Sequence, residues 1–260
     1  ISVNNATIGG NLFVGGTATI VGNTTLTANL GVGGTFTAVG KAEFDDDVCV
    51  SGNTILVGNL TVGGTTTIGG AVSIAGALSV GGAAHFASTV TIAGNTTLTG
   101  NLGVGGTATV VGKAEFDDDV CVSGNTILVG NLTVGGTTTI GGATSIAGAL
   151  SVGGAVNLLS TLTVVGKAEF DDDVCVSGNS ILVGNLTVGG TTTIGGAASI
   201  AGALSVGGAV NLLSTLTVVG KAEFDDDVCV SGNSILVGNL TVGGTTTIGG
   251  AVSIAGALSV

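Results

Sequence analysis

The chain repeats with a period of six residues, and the phase never slips. From Asn59 it reads NLTVGG, TTTIGG, AVSIAG, ALSVGG, AAHFAS, TVTIAG, and so on. At the fourth position of the hexad, from Ile8 to Val260 in steps of six, all 43 residues are Val, Ile, Leu, Phe or Ala. No helical period produces such a file. At the sixth position, from Gly10 to Gly256, 34 of 42 residues are Gly, and the eight others are Ala28, four Asp and three Ser. Gly and Asp tolerate positive φ and Ser favours turns, so a bend is expected every six residues.

Between the bends the pattern is that of a strand with one buried face. Second positions (Leu60, Thr66, Val72, Leu78) and fourth positions (Val62, Ile68, Ile74, Val80) point inward, while first and third positions point outward. The third is Thr or Ser in 25 of 43 hexads, a composition that suits an exposed pleat. A unit this short cannot bury its own apolar side, so hexads must stack on one another. The expected fold is all-β: a parallel β-helix, or β-solenoid, of hexad strands on triangular layers. An intertwined homotrimer is the favoured arrangement, and the alternative is a single-chain coil in which three consecutive hexads make each layer.

A longer repeat overlies the short one, in blocks 41–112, 113–166, 167–220 and 221–260. Block lengths of 72 and 54 are multiples of 18, or three hexads, which speaks for the single chain. Frequent Leu at the second position speaks for three chains, because single-chain coils of this kind usually want smaller residues there. With no linker and no shift of composition, residues 1–260 are expected to form one continuous solenoid, a fragment of a longer chain.

The phrases from Thr89 (TVTIAGNTTL) and Asn59 (NLTVGGTTTI) resemble the repetitive shafts of phage and giant-virus fibre proteins. That resemblance covers nearly the whole chain. It implies a homotrimeric shaft that carries a receptor-binding tip outside this sequence. Ile68-Gly69-Gly70-Ala71-Val72 also resembles the hexapeptide repeat of left-handed β-helix acyltransferases, from which Val57, Val111 and Leu159 depart.

Chemistry-bearing residues are few. All 20 charged residues lie in four copies of KAEFDDD, starting at Lys41, Lys113, Lys167 and Lys221, and together they give the net charge of −12. This reads as a solvated band that keeps an otherwise uncharged surface in water. Calcium-binding β-rolls need acids in every repeat. Low charge with 44% hydrophobic residues argues against disorder, the lack of any basic cluster argues against nucleic acid, and no apolar run is long enough for a membrane helix.

Cys49, Cys121, Cys175 and Cys229 occupy the outward third position of DVCVSG. In a single-chain coil they fall three or four layers apart, roughly 14 to 19 Å, too far for a disulfide. No Cys/His pair has metal-ligand spacing. Cross-linking between neighbouring fibres is the one functional role open to these thiols. His85 is the only histidine, and no nucleophile motif or cofactor loop accompanies it, so neither an enzyme nor a cofactor is expected. The seven Asn-x-Thr sequons, among them Asn59, Asn131, Asn185 and Asn239, follow from a Thr-rich repeat.

The function expected is that of a structural fibre shaft, a spacer on an extracellular or virion surface that associates with itself. The alternative is a ligand-binding solenoid such as an ice-binding protein, for which T-x-T arrays are the signature. The array here is broken, since Thr35 is followed one coil on by Asn53 and then Ala71.

Overall fold

The computed structural model describes residues 6–259, all of whose regular structure is β. Positions two to four of a hexad form a three-residue strand, with Leu258–Ser259 the last described, and positions five and six form the bend. The strands group into two compact units, Ile1–Gly130 and Asn131–Val260.

In the first unit, β1 (Ala6–Ile8) pairs in parallel with the strand three further on, Thr24–Leu26, with Ala6 opposite Thr24 and Ile8 opposite Leu26. The same offset of three strands recurs throughout: Leu60 faces Leu78, Thr66 faces Ala84, and Val72 faces Val90. Consecutive strands therefore belong to three different sheets, and three hexads of one chain close one turn. The second unit repeats the arrangement, with Leu132 opposite Leu150, Thr138 opposite Val156 and Thr144 opposite Leu162. These are the triangular layers that the hexad pattern predicts.

Inward and outward positions also fall as expected. From Thr24–Leu26 through Leu240–Val242 the first and third residues of every strand are buried, and the central one is half-buried or exposed. Each fully buried Val, Leu, Ile or Phe contributes about 1.5–3 kcal/mol relative to exposure. Since a three-residue strand offers two such side chains, the core of each unit is built from many thin layers. Side-chain volume varies within strands: in Ala42–Phe44 the small Ala42 and the large Phe44 are both buried. Phe44 meets Phe36 edge to face, with ring centroids 6.0 Å apart.

The bends depart from expectation in their cause. No described residue, glycine included, has a positive φ. Where glycine holds the sixth position, successive turns touch there, although Asp46, Ser88 and their equivalents occupy the same place in other turns. The N–H of Gly52 donates to the carbonyl of Gly34, 3.1 Å away in the preceding turn. An ideal Cβ on Gly52 would lie 2.6 Å from that same oxygen. The constraint acts between turns, and local backbone freedom has no part in it.

Candidate functional surface

The chemistry of each block is gathered in a single turn. Residues 41–58 contain the Lys41–Glu43 ion pair on one sheet, Asp45, Asp46 and Asp47 at the next corner, Cys49 on the second sheet, and exposed Ile55 and Val57 on and beside the third. Turns 113–130, 167–184 and 221–238 repeat the set. The four Lys–Glu pairs (Lys41–Glu43, Lys113–Glu115, Lys167–Glu169, Lys221–Glu223) join first and third positions of one hexad across an exposed surface. Exposed pairs of this kind contribute little to stability.

The aspartates do more than hold charge. In each triplet the middle carboxylate accepts the N–H of the third residue, as Asp46 does from Asp47 at 3.0 Å. The third reaches to the following turn: Asp47, Asp173 and Asp227 accept the N–H groups of Thr65, Thr191 and Thr245, each at 2.7 Å. This N–H lowers the pKa of Asp173 and Asp227 even though both are exposed, and a hydrogen bond from the threonine hydroxyl adds to the effect.

First-position asparagines act in the same way. Asn53, Asn59, Asn131, Asn185 and Asn239 each give their side-chain oxygen to the N–H of an alanine one turn on, at 2.9 Å. Sequence reasoning read Asn59, Asn131, Asn185 and Asn239 as sequons, Asn53 as a break in the threonine array, and the aspartates as a charge band. Their role as corner clasps is invisible until the turn length is known.

Cys49 and Cys121 lie on one sheet of the first unit, four strands apart; Cys175 and Cys229 lie three strands apart on the corresponding sheet of the second. All four are free thiols on the surface. His85 shares the sheet and the outward column of Cys121: Gly103 lies opposite His85 on one side and opposite Cys121 on the other. Their distance along the chain gave no sign of this proximity, because it is two turns of a coil whose length the sequence left open. Because Gly103 has no side chain, a surface cleft of about 360 Å³ opens there, lined by His85, Asn101, Asp119 and Cys121 among others. A twin of about 380 Å³ lies over Gly31, with Phe13 in the place of His85 and Cys49 in the place of Cys121.

Among the described residues, no three His, Cys, Asp or Glu side chains gather as a metal cluster. No helix among the described residues is long and apolar enough to cross a membrane. The threonine array is interrupted as the register requires, with Thr37 facing Ile55 and Ile55 facing Ser73 on the third sheet. No family model, curated protein or solved structure matches the chain.

Proposed function

We propose that this chain is shaft material, a rigid spacer in a fibre on an extracellular or virion surface, with the binding domain carried elsewhere in the fibre. The observation that supports this reading is the sameness of the turns. Among the described residues of each unit every strand pairs with the third strand along the chain from it, and no loop leaves the coil to build a deep pocket. A spacer needs repetition and stiffness, and within each unit unbroken strand ladders over an aliphatic core supply both. The reading assigns the chain no catalytic step.

In the coil described above three consecutive hexads of one chain make each layer, and a shaft of one such chain has the mass of a single chain. An intertwined homotrimer would place one hexad of each chain in a layer and would have three times the mass of the 24.3 kDa chain.

The test is deletion of residues 167–220, which joins Gly166 to Lys221 in register. Electron microscopy should show a particle shorter by three turns, about 14 Å at 4.8 Å per strand spacing, with cooperative melting retained. Removal of only three residues, 187–189, should abolish that melting. A compact particle whose length ignores the block deletion, or equal melting of the two variants, would sink the spacer reading. Mass measured on the same particles decides between one chain and three.

A further inference from the structure

We propose that His85 and Cys121 form a two-coordinate site for a soft monovalent cation, Cu(I) or its redox-inert counterpart Ag(I), across the cleft over Gly103. The His85 ring leans into this cleft, with Nδ1 3.1 Å from the point that a Cβ on Gly103 would occupy. Cys121 stands in register with Gly103 on the following strand, so its Cβ lies one strand spacing, about 4.8 Å, beyond that point. Rotation about χ1 of Cys121 turns the sulfur toward the ring. A cation held between them needs one bond to nitrogen and one to sulfur, each roughly 2.0–2.3 Å, and both side chains line the cleft that would hold it.

Chemistry selects the ion. Thiolate sulfur prefers soft cations, and imidazole nitrogen is an accepted partner. With only two side-chain donors, an ion that accepts linear coordination is favoured over one that requires four ligands. As the sulfur–metal bond forms, the thiol proton passes to solvent, so thiolate and neutral imidazole are the donors and the cation's charge is neutralised. The Asp119 carboxylate on the rim adds a favourable field for cation entry.

The other three thiols are internal controls. Cys49 has the same open cleft but faces Phe13, whose ring lies over Gly31, 3.5 Å from the position of its absent Cβ. Cys175 and Cys229 have Asn157 and Asn211 in the place of the notch glycine. Only Cys121 combines an open notch with an imidazole.

Because His85 is the sole histidine, its imidazole proton signals in NMR report on the site without overlap. Titration of the reduced, full-length chain with Ag(I) should shift those signals with the first equivalent. Cys121 should fill at roughly tenfold lower free Ag(I) than the other thiols, as a second tethered donor implies. Cys121→Ser should abolish the shift and Cys49→Ser should leave it intact. Both positions are exposed, and circular dichroism will establish that each variant is folded. Phe13→His should create a second imidazole that responds to Ag(I) through Cys49. An imidazole that stays unmoved while thiols bind, a shift that survives Cys121→Ser, or a silent second imidazole in Phe13→His would each overturn the assignment.

Discussion

Asp173 accepts the backbone N–H of Thr191, 2.7 Å away and one full turn along the coil. The bond joins two exposed corners, and Asp227 makes the same bond to Thr245. Both carboxylates are held below the ordinary aspartate range, chiefly by that N–H. A folded-state pKa below the unfolded one stabilises fully above the unfolded value, about 3.9, and the gain is lost as pH falls through the folded value. Thermal melting should therefore fall off below about pH 4. The double variant Asp173→Asn, Asp227→Asn keeps both acceptors but cannot titrate, so it should lose part of that fall. An unchanged acid profile in the double variant would remove the clasp from the account.

Val176 and Thr187 occupy inward and outward positions of neighbouring turns, the first 1% exposed and the second at the surface. Val176→Asp buries an unpaired carboxylate and should cost several kcal/mol. Thr187→Asp should stay within about 0.5 kcal/mol. Chemical denaturation of the two variants measures the difference.

Gly52 and Gly31 separate the two reasons for glycine. Gly52→Ala drives a methyl group against the carbonyl of Gly34, and the corner must open to admit it. Gly31→Ala meets only ordinary contact with the Phe13 ring. The corner variant should lose about 1–3 kcal/mol, while the cleft variant should be close to neutral. A positive-φ explanation would predict strain that depends on the glycine's own backbone, which neither site has.

Thr66 is fully buried, and its hydroxyl has no hydrogen-bond partner. Ten other inward Thr and Ser hydroxyls share that condition among the described residues. Thr66→Val keeps the shape and removes the desolvated polar group, so melting should rise, by about 1 kcal/mol in stability. A loss of stability would mean that the hydroxyl is satisfied, for example by a buried water.

Much of this was legible because a period of six states which side chains meet. Leu60 and Val62 point inward for the same reason that Thr61 does not, and no knowledge of neighbours is needed. What the hexad could not state was who lies one turn away. Asn59 reads as a sequon until residue 77 is known to lie beside it, and His85 reads as solitary until residue 121 does. Even the glycines were placed for the wrong reason, since turn residues ordinarily suggest φ and here the cause is a neighbouring carbonyl. Local pattern fixes inside and outside, whereas lateral partners depend on turn length, which a repeat compatible with one chain or three leaves undetermined.

The constant offset between ladder partners has a consequence for the gene. Within each unit, the ladder bonds, the corner glycine contacts and the asparagine and third-aspartate clasps join residues about one turn apart. A given turn is thus recognised by its neighbours and carries no mark of its rank in the series. Unequal recombination between the near-identical blocks would insert or drop whole turns without creating a misfit, and folding would offer no proofreading against it. Length would then be open to drift and to selection as a trait in its own right, while any slip that is not a whole number of turns would be eliminated at the first misplaced corner.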